Sequence, residues 1–259
     1  MRMRFPLILG ALVLELVLDF ALPLVLCAQA PQKEDPQKID KVCSQEDIDA
    51  LGLSCSEDEP CPVFLELSAA EGFGANVFVT GNLHTVDTTI SGVLLSSGDG
   101  GKTWTEPVQR IRAAELDQIQ FADPQHGWAV GVKVDPLPRD PFLLVTVTGG
   151  EMWHPVPLFD EPLHGSIQQF WFESPNRGEL VVDRSQGQTK RYELYASTTG
   201  GETWMLKESS DRPMQLPNDR PENGNWRTAA DKDSYRVERR TATGWETLAR
   251  FPIHAGDCK

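Results

Sequence analysis

The chain is poor in positive charge. Across 259 residues, 24 Lys and Arg stand against 38 Asp and Glu, a formal net charge of −14, which excludes the basic surface that nucleic-acid binding requires. Short chemical signatures are missing as well. No H-E-x-x-H or C-x-x-C is present to build a zinc site, and no G-x-S-x-G or P-loop is present to place a nucleophile or cradle phosphates. The five histidines (His84, His126, His154, His164, His254) are scattered, and there are only three tyrosines. No cofactor and no metal are expected. Gly and Pro together fall short of low-complexity composition, so enough apolar residues remain for a sizeable core. The expectation is a folded, acidic, soluble body.

What is present begins with a targeting segment. Arg2 and Arg4 precede an apolar stretch from Phe5 to Leu26, and Ala28-Gln29-Ala30 has the small-x-small form of a signal-peptidase site. Residues 1–30 are therefore expected to be a cleaved signal peptide. Glu15 and Asp19 interrupt the stretch and Pro31 follows the cleavage point, so an uncleaved membrane anchor is the alternative, and it is the only membrane contact the sequence offers. A lipoprotein reading of Leu24-Val25-Leu26-Cys27 is the weaker one, because Leu26 is large for its position. Either route places the body outside the cytoplasm, secreted or periplasmic.

Loss of the leader removes Cys27 and leaves Cys43, Cys55, Cys61 and Cys258, an even set suited to an oxidising compartment. Three of them lie in or beside residues 31–62, an N-terminal flank that carries nine acidic residues against Lys33, Lys38 and Lys41. Its first part reads as a solvated tail. Ser44-Gln45-Glu46-Asp47 reads as a capping box opening a helix through Leu51, with Gly52 ending it.

From residue 63 the chain repeats. Ser97-Gly98-Asp99-Gly100-Gly101-Lys102-Thr103-Trp104 follows the pattern S-x-D-x-G-x-T-W. Thr146 to Trp153 keeps Gly150 and Trp153, and Ser197 to Trp204 keeps Ser197, Gly201, Thr203 and Trp204 but not the Asp. The three start 49 and 51 residues apart, a propeller-type period. Thr243-Gly244-Trp245 reads as a faint fourth copy. Phe121-Ala122-Asp123-Pro124-Gln125-His126-Gly127-Trp128 and Phe172-Glu173-Ser174-Pro175-Asn176-Arg177-Gly178-Glu179 repeat a strand-turn-strand layout with the same beat. Val77 to Gly81, and later Trp226 to Ala230, are expected to fill the slot of Trp128 to Gly131. Within a unit, the Asp or Thr side chain can bond turn N–H groups, the glycines accept positive φ, and the Trp covers the neighbouring sheet. The fold class expected is all-β, a small or incomplete β-propeller of about four four-stranded repeats over residues 63–259. The Pro-rich stretches Val134 to Pro141 and Ser209 to Gly224 are expected to be rigid surface excursions.

These motifs resemble the sialidase-like, Asp-box (BNR) repeat superfamily of β-propellers, and His126-Gly127-Trp128-Ala129-Val130-Gly131 is similar to the repeat of the photosystem II assembly-factor type of propeller. The resemblance implies that Asp99 is a turn staple rather than a catalytic group. It also implies what a sialidase would need: an arginine cluster, a Tyr with a Glu partner, and an acid/base Asp. Tyr192 and Tyr195 fall on a repeat strand, Tyr235 is the third, and no R-I-P motif occurs. No catalytic residue is nominated, since Glu71, Asp87, Asp117 and Asp183 cannot be ranked. The repeat tryptophans read as packing, whereas Trp171 and Trp226 are free to line a ligand face.

Ring closure would bring Cys61, before the first strand, beside Cys258, after the last. The favoured pairing is Cys61–Cys258 with Cys43–Cys55, and the alternative is Cys55–Cys61 with Cys43–Cys258. The function expected is that of a non-catalytic exported propeller binding an envelope or extracellular protein. The alternative is a carbohydrate-binding or sialidase-like protein, with a glycan as ligand.

Overall fold

Runs of β-branched and aromatic residues separated by glycine turns fold into strands in the computed structural model of the protein, which describes residues 37–39, 41–134, 136–216 and 225–259. The proposed leader lies outside the described residues. In chain order the elements are β1 (Lys41–Val42), α1 (Gln45–Leu51), β2 (Cys61–Phe73), β3 (Asn76–His84), β4 (Thr89–Ser97), β5 (Ile111–Arg112), β6 (Ala114–Phe121), β7 (Gly127–Val134), β8 (Pro138–Thr146), β9 (His154–Pro157), β10 (Ser166–Phe172), β11 (Gly178–Asp183), β12 (Tyr192–Ser197), β13 (Met205–Ser210), β14 (Trp226–Ala230), β15 (Ser234–Thr241), β16 (Gly244–Pro252) and β17 (His254–Cys258). Helix α1 starts on the Ser44 capping box with Asp47 at N3 and stops at left-handed Gly52, as its sequence dictates.

The strands form four sheets, propeller-like in that each is a short meander. The first sheet runs β1-β17-β2-β3-β4-β5, the second β6 to β9, the third β10 to β13, and the fourth β14 to β16. Apart from the parallel pair of β1 and β17, neighbouring strands are antiparallel. Three expectations are corrected here. The repeats are not uniformly four-stranded, because nothing like S-x-D-x-G-x-T-W follows β16. After Ile253 the chain instead turns into β17 and pairs with β2 of the first sheet, where Leu65 N–H donates to the Ile253 carbonyl at 2.7 Å. The faint fourth copy is also displaced: Thr243-Gly244 is the tight hairpin between the fourth sheet's second and third strands, whereas the three true turns follow the third strand. Likewise Trp226 to Ala230 is a first strand and not the equivalent of Trp128 to Gly131.

Three buried apolar clusters join the sheets in the order fourth, first, second, third. Trp226, Val237 and Phe251 pack with Val63, Val79 and Leu95. Phe78 and Leu94 pack with Leu116, Ala129 and Trp153. Trp128 and Leu143 pack with Phe172 and Leu180. Among the described residues no such cluster joins the third sheet to the fourth.

The disulfides are Cys43–Cys258 and Cys55–Cys61, with Cα separations of 4.7 and 5.3 Å. The favoured pairing is thus overturned and the alternative is found. The pairing of β17 with β2 does bring Cys61 opposite Cys258. However, the helix end carrying Cys43 also packs on this cluster and takes Cys258, while the short loop returns Cys55 to Cys61.

Candidate functional site

The repeating turns are built alike. In the first, Asp99 accepts hydrogen bonds from the N–H groups of Lys102 and Thr103 and from the hydroxyls of Thr103 and Ser97. These bonds, the Thr103 N–H foremost, hold its carboxyl at about 2. Thr148 and Thr199 occupy the same place in the other two and receive the N–H of Met152 and Thr203. Ser97, Thr146 and Ser197 each accept from the N–H of Gly101, Gly150 and Gly201. Trp104, Trp153 and Trp204 each donate to the carbonyl of that glycine, at 2.9, 3.0 and 2.9 Å. The side-chain oxygens of Ser97, Asp99, Thr146, Thr148, Ser197 and Thr199 and the three indole N–H groups are thus engaged within their own turns.

Each turn seats on the preceding sheet. Gly150 lies against Phe78 of the first sheet, Gly201 against Trp128 of the second, and Gly101 against Leu248 of the fourth. Phe78 and Trp128 belong to equivalent cross-strand rows, Glu71–Phe78–Ser96–Thr105 and Gln120–Trp128–Val145–His154. The corresponding row of the third sheet is Trp171–Glu179–Ala196–Met205. Here the pattern inverts, because the aromatic has moved to the inner strand and a carboxylate stands where Phe78 and Trp128 stand. Phe78 and Trp128 are buried, Glu179 in their place is half-buried, and on the outer strand Met205 is 62% exposed. Trp171, Arg177, Glu179, Met205 and Lys207 line a recess of about 230 Å³ on this face. Of the two tryptophans left open by the sequence, Trp171 therefore borders a surface. Trp226 is buried and donates to the Gly72 carbonyl.

A second polar region lies where the inner strands meet. Register shifts leave Ser68, Asp117 and Gln168 as bulges in β2, β6 and β10, with the 49- and 51-residue beat of the turns. Asn82 donates to Ser68 Oγ and Asp117 Oδ1, and Thr89 donates to Glu115. The Asp117 side chain reaches solvent from within a crowded recess. That enclosure and the neighbouring Glu115 and Glu66 push its carboxyl above the usual range. Glu66 also contributes to raising Tyr235, after burial. Of the four carboxylates that the sequence left unranked, Glu71, Asp87, Asp117 and Asp183, Asp117 is the one raised in this way.

The sequence also missed a buried group. Tyr195 donates to Glu193 at 2.8 Å, and Arg184 and Arg191 pair with the same carboxylate. A Tyr–Glu pair with two arginines is the composition of a sialidase nucleophile, but its chemistry here is opposite. Burial and then Glu193 push the Tyr195 phenol up to about 12, so it remains protonated, and both arginines are committed to Glu193 rather than to a substrate carboxylate. His126 bonds Asp123 of its own hairpin. Among the described residues no three His, Cys, Asp or Glu are placed to hold a metal ion, and no helix is long and apolar enough to cross a membrane.

No family model matches the chain, and no curated protein matches it. Solved structures similar to it include an ulvan lyase of polysaccharide lyase family PL25, with TM-score 0.44 and 11% identity over 79% of this chain and 55% of that one. A GH74 xyloglucanase from Xanthomonas campestris gives 0.38 and 14% over 68% and 28%. The Penicillium chrysogenum α-L-arabinanase complexed with arabinobiose gives 0.38 and 12% over 72% and 58%. The chain thus spans between about a quarter and three-fifths of the length of these proteins.

Proposed function

We propose that the protein is a non-catalytic, exported propeller-like module of the Asp-box (BNR) type that binds another protein across the third sheet. The observation that carries this reading is the row Trp171–Glu179–Ala196–Met205. In two sheets the equivalent row receives a turn from the next sheet, while in the third it lines an open recess with Met205 standing in solvent. An aromatic beside the exposed Met205, with Arg177, Lys207 and Glu173 around it, has the composition of a protein-binding patch with a polar rim. The two disulfides fit an oxidising compartment outside the cytoplasm.

A glycan-binding or glycan-cleaving protein is the second reading, favoured by the raised Asp117 carboxyl beside Glu115. Affinity capture from the protein's own extracellular or envelope extract, run with a glycan array, tests both. The protein-binding reading expects a specific partner whose capture falls at least tenfold with Met205→Glu and is unaffected by Asp117→Asn. Array binding abolished by Asp117→Asn, with no captured protein, would reverse the choice.

A further inference from the structure

The two disulfides are neighbours, and their adjacency has chemical content. Cys61 and Cys258 are directly opposed in the β2–β17 ladder, yet each is bonded to a different partner, Cys55 and Cys43. Opposed residues of an antiparallel pair have Cα atoms about 4.5–5.5 Å apart, which lies within the span a disulfide bridges. All four cysteines also contact one apolar cluster. They differ in access: Cys43 and Cys258 are buried, whereas Cys55 and Cys61 are partly exposed and close a loop only six residues apart in sequence.

We infer that the pair is a thiol–disulfide exchange site, in which reduction of the accessible Cys55–Cys61 bond transfers the Cys258 linkage from Cys43 to Cys61. A small dithiol reduces Cys55–Cys61 to two thiols and is itself oxidised to its disulfide. The Cys61 thiolate then attacks Cys258 Sγ. The Cys61–Cys258 bond forms, the Cys43–Cys258 bond breaks, and Cys43 leaves as a thiolate that takes a proton from water. The second step consumes no oxidant or reductant. The sequence separations closed before and after are similar, 215 and 197 residues, so loop entropy does not oppose the transfer.

The consequence is local to the flank. With Cys43 released, α1 is held to the body by burial of Ile48, by Arg112 on Glu46 and Asp47, and by the two-residue β1–β17 pairing. The covalent tie of the C-terminal strand to the first sheet is kept, through Cys61. The site is therefore a device that uncouples the flank from the sheets without opening them.

Graded reduction of the purified protein with dithiothreitol, followed by alkylation with N-ethylmaleimide at acid pH and peptide mapping, tests the transfer. The expected singly bridged species has Cys61–Cys258 with Cys43 and Cys55 alkylated. A species retaining Cys43–Cys258 with Cys55 and Cys61 alkylated overturns the inference, as does loss of both bonds with no Cys61–Cys258 species. Cys55→Ser gives the same information without a reductant. It is expected to carry Cys61–Cys258 and to alkylate at Cys43 at least tenfold faster than wild type, and an intact Cys43–Cys258 with a free Cys61 would contradict this. If that variant does not fold, graded reduction of the wild-type protein decides alone.

Discussion

Replacing Gly150 by alanine should damage the joint between the first and second sheets far more than the same change at Gly100 damages the first turn. Both glycines are left-handed, with φ of 88° and 77°, a conformation that costs an L-residue about 1–2 kcal/mol. Their surroundings differ. A Cβ on Gly150 would stand 2.2 Å from Phe78 Cε1 and 2.3 Å from its Cζ, while one on Gly100 meets nothing within 4 Å. Phe78 is also stacked on Phe121 at 4.7 Å, so its ring cannot retreat without disturbing the cluster that joins the sheets. Overpacking of this kind adds about 1–3 kcal/mol. The sum for Gly150→Ala is about 2–5 kcal/mol, and a domain of this size loses about 2–4 °C per kcal/mol. Thermal unfolding followed by circular dichroism should thus show a fall of roughly 4–20 °C for Gly150→Ala and about 2–8 °C for Gly100→Ala, with Gly150→Ala the larger. Equal losses would refute the reasoning, since backbone strain alone would then account for both and the seating of turn on sheet would carry no energy.

The other expectations concern charge and crosslinks. Asp99 is depressed to about 2 in the fold, so its stabilising contribution is full above the unfolded value near 4 and is lost as pH falls through 2. The stability gap between wild type and Asp99→Asn in urea should therefore shrink from pH 5 to pH 2, and a constant gap would contradict the bonding scheme. Asp117 is raised, so the folded state retains its proton longer and the group disfavours folding once ionised. Asp117→Asn should then stabilise the protein at pH 7 and lose that advantage below about pH 4; destabilisation at pH 7 would show that the recess favours the anion. Cys43→Ser paired with Cys258→Ser should cost up to about 5 kcal/mol on the chain-entropy model against about 2 for removing Cys55–Cys61, measured by urea unfolding, and a reversed order would refute the loop-length argument. A fluorogenic sialoside should not be turned over, because Tyr195 is buried and, with Arg184 and Arg191, is engaged by Glu193; turnover that scales with pure protein would overturn that assignment.

How far the sequence foretold this architecture depended on where the physics was local. The capping box of α1 and the glycine turns with their tryptophans are determined within eight residues, so their form was legible. The destination of β17 was not, because the choice between the fourth sheet and the first is made by pairing with β2 almost two hundred residues away. The same non-locality misdirected the disulfides: Cys61 and Cys258 do meet, but Cys43, just before α1, arrives at the same cluster with a helix whose docking no spacing reveals. Glu193 illustrates another limit. A carboxylate in an alternating strand reads as solvent-facing, and only the packed third sheet shows Arg184, Arg191 and Tyr195 converging on it. The row at Trp171 became visible only once equivalent positions were known from the ladders, although the 49- and 51-residue beat already contained the alignment.

The claim that the third sheet presents a protein-binding face is tested most directly by photo-cross-linking. A benzophenone amino acid at position 205, activated in the protein's own extracellular or envelope extract, is predicted to yield one dominant protein adduct, with none from the same probe at Val147, whose side chain is comparably exposed on another turn. Adducts of equal yield and pattern at both positions, or none at position 205, would contradict it.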